Sequence, residues 1–469
     1  MMKMLKMVSD PYTIGRGTKV AVIGLGISGR AAVKYARHCG AEVLVSDSRA
    51  EERFLAEEQD FLDINQVLWE AGGHTVEFLR QADIILASPG VNLAAPWIRE
   101  LRALGKPVAG ELAVASGRIG VPVVAVTGTN GKTTVTSLIG ELFEKSGKKA
   151  FVGGNIGTPL YEYLCNPEGY EVVVVEVSSF QLESAGGFAP TVGVLLNITP
   201  DHLDRHGSIE HYAEIKMRLF AHQRRGDVAI VNSDDPLCAK VPEGLQSQLG
   251  PFGTGEENAA VIRDRTIHLL VDGKIEEYPL QGTALDNSVG LQNGAAAILA
   301  ARVLGCPRDG ILAGLRDFRL GPHRIELVAE VAGVSYYNDS KATNTGAVIA
   351  ALQQFSGNVI LIAGGRDKGD DYRLLRDSVA GRVKRLIVIG EATGLLEAAL
   401  ADVVDIVRAG SMEEAVGLAA ETGVPGDAVL LSPACASFDM FTSYGHRGNE
   451  FKKEVLGLQL AATPGVLRN

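Results

Sequence analysis

Cysteine is scarce in this chain of 469 residues, and no apolar run approaches the length that spans a bilayer. The five cysteines are an odd number, are widely spaced and include no Cys-x-x-Cys pair. That spacing excludes an obvious zinc site and favours a reducing compartment. The N-terminal stretch MMKMLKMVSDPYT has lysines but no continuous apolar core, so it does not match a secretory signal. The sequence predicts a cytoplasmic protein without membrane insertion.

Runs of like charge and Lys/Arg stripes are missing as well. The 56 acidic and 45 basic residues give a formal net charge of −11, and the sequence pI is about 5.4. These values exclude a broad basic surface for nucleic acid. Apolar residues make up 46% of the chain, which is ample for full cores. A chain of this length is expected to form about two to four domains.

The most informative stretch is residues 121–135, VPVVAVTGTNGKTTV. Its β-branched run predicts a buried parallel strand, a glycine-rich turn follows, and Lys132, Thr133 and Thr134 open a predicted helix. Such a turn directs backbone N–H groups at an anion, and the helix N-terminus adds favourable partial charge. Lys132 would then reach the terminal phosphates of a nucleotide, and the Thr133 hydroxyl would hold Mg²⁺. Val126 stands where the standard pattern has glycine, and a turn that binds nothing is the alternative interpretation.

A second glycine motif lies near the N-terminus. A predicted strand over residues 19–24 runs into Gly24-Leu25-Gly26-Ile27-Ser28-Gly29, and the next predicted strand ends at Asp47-Ser48-Arg49. This is the dinucleotide fingerprint, so it indicates a phosphate-bearing ligand with Asp47 near a sugar or base. A turn that only packs a helix on a strand is the alternative. A third predicted strand ends at Ser88, again at the edge where open α/β sheets bind ligands.

Several polar groups follow the strands of the central part of the chain. Glu176 ends an apolar run, and a buried carboxylate is costly unless it is paired or holds a metal. Its position predicts the second acidic ligand of a phosphate-loop Mg²⁺, with a salt-bridged structural residue as the alternative. His202 lies in a loop crowded with metal-capable groups, TPDHLDRH, where a plain polar loop residue is an equal alternative. Lys216 lies within the next helix, where spacing alone favours an ordinary surface lysine.

The alternation of strands and helices predicts an α/β fold with three domains. These are a Rossmann-like N-terminal domain over residues 1–112, a central parallel sheet of the P-loop ATPase type over 113–319, and a Rossmann-like C-terminal domain over 320–469. The C-terminal domain contains two polar motifs at predicted strand ends, residues 338–344 and 431–439. The first of them is predicted to open a helix.

At this point five motifs resemble those of a known family, the ATP-dependent Mur ligases of peptidoglycan precursor synthesis. Three are shared across that family: Gly128-Thr129-Asn130-Gly131-Lys132-Thr133-Thr134, Glu176-Val177-Ser178-Ser179-Phe180-Gln181-Leu182-Glu183 and Asp201-His202-Leu203-Asp204. Two resemble the members that add D-glutamate: Asn338-Asp339-Ser340-Lys341-Ala342-Thr343-Asn344 and Leu431-Ser432-Pro433-Ala434-Cys435-Ala436-Ser437-Phe438-Asp439. The resemblance covers essentially the whole chain. It implies ATP-dependent ligation of D-glutamate to UDP-N-acetylmuramoyl-L-alanine through an acyl phosphate, by a monomer that uses two Mg²⁺ ions.

The resemblance also implies roles for individual residues. The first domain would hold the UDP of the precursor rather than NAD, with Gly26, Ile27, Ser28, Asp47, Ser48, Arg49, Ser88 and Asn155 at the precursor. The ATP contacts would be Gly128, Thr129, Asn130, Gly131, Lys132, Thr133, Thr134, Asn293, Arg324 and Asp339. Metal ligands would be Thr133, Glu176, His202 and, if carbamylated, Lys216. D-Glutamate would meet Lys341, Thr343, Lys368, Ser437, Phe438 and Tyr444. The catalytic residues would be Lys132, His202, Lys216 and Arg324, while Cys435 would be a packed residue and not a nucleophile.

One departure from the family pattern concerns adenine recognition. The family usually has His-Asn-x-x-Asn, whereas this chain has Gln292 for the histidine and Ala296 for the second asparagine, and only Asn293 is carried over. Three alternative functions remain. They are a Mur-type ligase that adds a different amino acid, a nicotinamide oxidoreductase built on the first glycine motif, and a non-catalytic nucleotide-binding regulator.

Overall fold

The computed structural model describes residues 11–241 and 244–462. Most of the N-terminal stretch used in the signal-sequence prediction lies outside these ranges. Within them, no helix is long and apolar enough to cross a membrane. The described chain forms three sheets, each combined with helices, and the predicted three-domain α/β fold is confirmed.

The first sheet has five parallel strands in the order β3-β2-β1-β4-β5. Its strands are β1 (Lys19–Ile23), β2 (Glu42–Asp47), β3 (Leu68–Ala71), β4 (Ile84–Ala87) and β5 (Val108–Ala109). The helices are α1 (Ile27–His38), α2 (Ala56–Ile64), α3 (Val76–Leu79), α4 (Pro96–Ala103) and α5 (Glu111–Ala115). The strand order reverses between β1 and β4, which is the point where doubly wound sheets open a crevice for ligands.

The second sheet has nine strands in the order β14-β13-β12-β11-β10-β9-β6-β8-β7. They are β6 (Val123–Thr127), β7 (Ala150–Gly154), β8 (Val172–Glu176), β9 (Val192–Leu195), β10 (Val228–Asn232), β11 (Gln248–Gly253), β12 (Ala260–Arg263), β13 (Thr266–Val271) and β14 (Lys274–Pro279). The strands from β7 to β12 are parallel to their neighbours, and β12 to β14 form an antiparallel extension. The helices of this part are α6 (Lys132–Lys145), α7 (Leu160–Cys165), α8 (Ser179–Glu183), α9 (Leu203–His206), α10 (Ile209–Met217), α11 (Ser288–Val303) and α12 (Arg308–Asp317).

The third sheet has six strands in the order β15-β16-β20-β17-β18-β19, and only the β15–β16 pair is antiparallel. The strands are β15 (Glu326–Val331), β16 (Val334–Asn338), β17 (Val359–Gly364), β18 (Val383–Ile389), β19 (Ile406–Arg408) and β20 (Ala428–Leu431). The helices are α13 (Thr345–Leu352), α14 (Arg376–Val379), α15 (Thr393–Leu400), α16 (Met412–Thr422) and α17 (Tyr444–Ala462). Asn344 caps α13 by accepting the Ala347 N–H at 2.8 Å, so the helix predicted after the polar motif is confirmed.

Residue contacts divide the chain into two compact units. The first comprises Met1–Asn197, Ala213–Thr283 and Leu291–Asp317, and it contains the first two sheets. The second comprises Ile198–Tyr212, Ala284–Gly290 and Phe318–Asn469, and it contains the third sheet and the loop with His202. The domain limits at residues 112 and 319 stay predictions.

Candidate active site

The predicted phosphate loop follows β6, whose five residues are all buried. Gly131 adopts a left-handed conformation, with φ at 84°, immediately before α6. A Cβ atom there would lie 2.5 Å from Asn293 Oδ1, so the turn requires glycine for two independent reasons. Asn197, which sequence reasoning missed, fixes the loop by accepting the Thr129 N–H on its carbonyl oxygen and the Asn130 N–H on its side chain. Strand, turn and helix are therefore arranged as a phosphate-binding loop requires.

Lys132 and Lys216 both lie against this loop. Lys132 Nζ donates to the carbonyl oxygens of Gly128 and Thr129, at 3.0 and 2.7 Å. Lys216 is 1% exposed, and its Nζ donates to the carbonyl oxygen of Gly128 at 2.7 Å. The surface lysine that spacing alone favoured for Lys216 is wrong, because α10 turns this side chain inward toward the phosphate loop. Two cations beside a glycine turn make this region suited to a polyanion.

Glu176 ends β8 beside the loop and is 2% exposed. Its Oε2 accepts the Thr133 hydroxyl at 2.7 Å, and its Oε1 accepts the Asn155 side-chain amide at 2.9 Å. Among the residues that the structure describes, the side chain of Glu176 has a hydroxyl and an amide as partners and forms no ion pair, so the salt-bridged alternative is wrong for this part of the chain. Among the described residues no group of three or more His, Cys, Asp or Glu side chains is arranged to hold a metal. A hydroxyl and one carboxylate nevertheless fit Mg²⁺, which takes its other ligands from phosphates and water.

A second polar cluster lies within the second unit. Lys368 Nζ donates to Asp201 Oδ1 at 2.5 Å, and both side chains are largely buried. Asn344 Nδ2 donates to Asp201 Oδ2 at 3.2 Å, so Asp201 joins two loops of this unit. The neighbouring His202 has its Nε2 3.8 Å from Asp201 Oδ2 and a positive φ of 54°. Sequence reasoning identified His202 and Lys368 but missed the role of Asp201.

The other residues predicted in the third domain lie at strand ends of the third sheet. Burial raises the pKa of Asp339 to about 7, although the Ser432 hydroxyl bond and the Arg324 charge oppose the shift. Lys341 Nζ lies 5.2 Å from the ring centre of Tyr444. Four further predicted residues occupy the loops after β16 and β20 or the start of α17: Thr343, Ser437, Phe438 and Tyr444. Cys435 is buried, and burial raises the pKa of its thiol to about 12, which confirms a packed residue.

The first sheet contains a cavity of about 660 Å³ at the β1–β4 switch point. All seven residues predicted there line it: Gly26, Ile27, Ser28, Asp47, Ser48, Arg49 and Ser88. Burial opposes ionisation of Asp47, but hydrogen bonds from Arg49 and from the Leu25 N–H hold its pKa below the usual value. His74 and Trp97 also line the cavity with their rings 4.7 Å apart, and no sequence motif indicated them. Asn155 is not among the lining residues, because its side chain lies at Glu176.

The sequence matches models for three domains of one family. These are the Mur ligase MurD-like N-terminal domain at residues 18–110, the Mur ligase middle domain at 126–291 and the Mur ligase glutamate ligase domain at 323–435. A UDP-N-acetylmuramoylalanine–D-glutamate ligase from Desulfotalea psychrophila is 54% identical over 96% of this chain and 98% of its own. The chain belongs to the Mur ligase family. A ligase of the same name from Acidobacterium capsulatum is 42% identical over 95% of this chain and 98% of its own.

Solved structures of Mur ligases and related enzymes share this fold. The match to the MurF ligase from Thermotoga maritima in complex with ADP covers 95% of this chain and 97% of the MurF chain, with a TM-score of 0.58 and 21% sequence identity. The match to a pseudomurein peptide ligase type C from Methanothermus fervidus covers 94% of this chain and 100% of that ligase's chain, with a TM-score of 0.60 and 20% sequence identity. As a Mur ligase, the chain is an ATP-dependent ligase. The oxidoreductase interpretation of the first glycine motif is therefore wrong.

This Mur ligase departs from the family pattern at the start of α11. Gln292 Nε2 donates to Asp234 Oδ2 at 2.8 Å, while its buried Oε1 has no partner among the described residues. Asn293 lies against Gly131 of the phosphate loop, and Ala296 of α11 is fully buried. The residue carried over from the family pattern is thus the one in contact with the phosphate loop.

Proposed function

We propose that this Mur ligase joins D-glutamate to UDP-N-acetylmuramoyl-L-alanine, with conversion of ATP to ADP and phosphate, in peptidoglycan precursor synthesis. The observation that carries the proposal is the 54% identity, over nearly the whole of both chains, to a ligase named for D-glutamate. The match of residues 323–435 to the glutamate ligase domain supports it. A Mur-type ligase that adds another amino acid is not favoured, because the relatives at 42% identity have the same name.

The reaction forms an amide from a carboxylate, whose oxygen is a poor leaving group. Transfer of the γ-phosphoryl group of ATP to the alanyl carboxylate gives an acyl phosphate. The amine of D-glutamate then attacks its carbonyl carbon, and the tetrahedral intermediate releases phosphate. Because the substrate carboxylate is the nucleophile toward ATP, no serine or cysteine nucleophile is needed. The protein contributes positioning and neutralisation of the charge on the transferring group.

Each predicted residue has a role in this chemistry. The backbone N–H groups of residues 128–134 and the Lys132 ammonium would hold the phosphates of ATP, and Arg324 and Asp339 would contact the same nucleotide from the third domain. Mg²⁺ at Thr133 and Glu176 would supply neutralisation of phosphate charge. A carbamylated Lys216 and His202 would hold a second ion, because carbamylation turns a buried cation into an anionic oxygen ligand.

The substrates would occupy the strand ends of the first and third sheets. The UDP part of the precursor would fill the cavity of about 660 Å³ in the first sheet, and Asn155 would contact the muramoyl part. D-Glutamate would lie against the loops that carry Lys341, Thr343, Lys368, Ser437 and Phe438, together with Tyr444 of α17. We infer a cytoplasmic monomer, in keeping with substrates that are small molecules.

The test is phosphate release with UDP-N-acetylmuramoyl-L-alanine, ATP and Mg²⁺ in the presence of one amino acid at a time. We expect release with D-glutamate and little release with L-glutamate, L-alanine, L-lysine or meso-diaminopimelate. The matched control is the Lys132→Met variant, which should be inactive with every amino acid. Release that is strongest with an amino acid other than D-glutamate would overturn the proposal, and ATP turnover with none of them would favour a nucleotide-binding regulator.

A further inference from the structure

Arg447 is a fully buried cation in the first turn of helix α17. Burial lowers the pKa of its guanidinium to about 10, so the side chain still carries its charge at neutral pH. Its hydrogen-bond partners in the described structure are carbonyl oxygens and a hydroxyl, with no carboxylate among them. Burying a charge costs free energy, and a helix N-terminus is the less favourable end for a cation. A cation kept at this cost is expected to do something that a neutral side chain cannot.

The guanidinium joins the ends of three neighbouring parallel strands, β16, β20 and β17. Beyond β16, Nη2 and Nε donate to the carbonyl oxygen and the hydroxyl of Ser340, at 2.9 and 3.0 Å. Beyond β20, Nη1 donates to the carbonyl oxygens of Cys435 and Ala436, at 3.1 and 3.3 Å. Gly364 is the last residue of β17, and its carbonyl oxygen lies 3.5 Å from Nη1.

The same three loops carry the side chains proposed to bind D-glutamate. Each lies within four residues of a group that Arg447 contacts: Lys341, Thr343, Lys368, Ser437 and Phe438. We propose that Arg447 is a positioning residue for the amino-acid subsite, where it holds these loops at the spacing that a bound amino acid requires. This inference rests on the function proposed above. It assigns Arg447 no contact with the substrate.

Arginine suits this task better than lysine. Its planar fork offers five N–H donors in fixed directions, whereas lysine offers three donors on a single nitrogen. The Ser340 hydroxyl is oriented in turn, because it donates to the carbonyl oxygen of Tyr444 at 2.8 Å. The charge of the Asp439 carboxylate acts on the guanidinium, so the fixed donor geometry of Arg447, and not a free positive charge, is the property that the proposed role uses.

Loss of Arg447 should loosen the loops without unfolding the domain. Backbone hydrogen bonds also join these loops, from the Ala434 N–H to Ala342 and from the Ala436 N–H to Arg366, both at 3.0 Å. These bonds do not depend on the side chain of residue 447. The expected defect is therefore in the spacing of the loops, and it should be seen first in the use of D-glutamate.

The experiment compares Arg447→Lys and Arg447→Met with the wild-type enzyme in steady-state phosphate release. Arg447→Lys should raise KM for D-glutamate about 10- to 100-fold, the scale of losing hydrogen bonds to a charged group. KM for UDP-N-acetylmuramoyl-L-alanine should stay within about twofold, because its UDP part is proposed to bind at the first sheet. KM for ATP should rise less than KM for D-glutamate, because Asp339, which precedes Ser340, is only one of the proposed ATP contacts. Arg447→Met should raise KM for D-glutamate further, and lysine at this position should restore part of the loss.

Arg376→Met is the matched control. Arg376 lies in the same domain and also joins a carbonyl oxygen, that of Ala399, to a carboxylate, that of Asp402. This control should leave all three KM values unchanged, and circular dichroism should show each variant folded. If Arg447→Met does not fold, Arg447→Lys carries the test alone. Equal rises in all three KM values, or no rise for D-glutamate, would overturn the positioning role.

The wild-type enzyme separates this inference from the function itself. If the wild type releases no phosphate with D-glutamate, the proposed function fails whatever the variants do. The KM comparison is then made with the amino acid that does support release, since the loops would hold that amino acid instead. If the wild type is active with D-glutamate and the variants match it, only the role of Arg447 is wrong.

Discussion

Replacing Glu111 by glutamine should change how the stability of the first unit depends on pH. Glu111 begins α5, which connects the first sheet to the second. Its side chain is 4% exposed. Oε1 accepts the Tyr161 N–H at 3.1 Å and Oε2 accepts the Gln181 side-chain amide at 3.4 Å. Burial outweighs these hydrogen bonds and raises the pKa of Glu111 from 4.5 to about 7.

The sign follows from the direction of the shift. The folded protein binds the Glu111 proton more tightly than the unfolded chain does, so its contribution to stability is complete below about pH 4.5. That contribution is lost as the pH rises through about 7, and above that pH it no longer changes. At about 1.4 kcal/mol per pKa unit, the shift corresponds to roughly 3 kcal/mol. Glutamine keeps an oxygen acceptor for the Tyr161 N–H but has no proton to lose.

The assay is urea unfolding of the wild type and Glu111→Gln between pH 5 and pH 8. Trp69 and Trp97 are the two tryptophans of the chain, and both belong to the first sheet and its helices, so their fluorescence reports this part of the protein. The free energy of unfolding of the variant, measured relative to that of the wild type, should rise by about 2–3 kcal/mol as the pH is raised from 5 to 8. The contributions of other buried acids, such as Asp339, to the pH dependence of stability cancel in this difference, because these acids are present in both proteins. Glu421→Gln, at an exposed position of α16, is the control and should show no such gain.

A stability difference between wild type and variant that is the same at pH 5 and pH 8 would refute the reasoning. It would mean that Glu111 does not titrate between these pH values in the folded protein. Infrared difference spectra give a second measurement. The band of a protonated carboxyl group should be present in the wild type at pH 6 and reduced in the variant.

Three further predictions concern the phosphate loop. Lys132→Met should lower D-glutamate-dependent phosphate release about 10²–10³-fold or more, since it removes a charge-stabilising donor, while the melting temperature stays close to that of the wild type. Glu176→Gln should raise the Mg²⁺ concentration for half-maximal rate by about tenfold or more, because the amide keeps the shape but loses the ligand charge; an unchanged Mg²⁺ dependence would place the metal elsewhere. Lys216→Arg should abolish activity, and the wild type given isotope-labelled bicarbonate should show a carbamate signal by NMR that this variant lacks; activity retained by the arginine enzyme would contradict carbamylation.

The phosphate loop could be predicted from sequence because its parts are contiguous. A buried strand, a glycine turn and a helix start within 15 residues of one another specify where the backbone N–H groups point. The cap of α13 was predictable for the same reason, since Asn344 bonds a backbone group three residues away. The cavity of the first sheet was indicated by its glycine motif and by Asp47, which bonds the Leu25 N–H in the turn itself.

Contacts between distant parts of the chain were not predictable in this way. Asn197 fixes the phosphate loop from 67 positions away, and Arg447 bonds Ser340 from 107 positions away. Nothing in the local sequence around such residues distinguishes them from ordinary polar residues. The edge strands β3 and β19 were missed because they are short and only partly buried, so neither has the continuous apolar pattern of a central strand. Sheet topology, and not local pattern, brings these groups into place.

The three sheets balance charge at their strand ends in different ways, although the ligand proposed for each is an anion. In the first sheet Asp47 is buried, and Arg49 beside it supplies the compensating charge. In the second, the partners of the buried Glu176 side chain among the described residues are a hydroxyl and an amide, so a bound cation is the natural partner for its charge. In the third, two buried groups lie at the strand ends: Asp339, whose pKa burial raises to about 7, and the cation Arg447, which strand-end carbonyl oxygens surround. A metal is therefore expected at the second sheet, whereas in the first and third sheets the cationic partners are arginines of the protein itself.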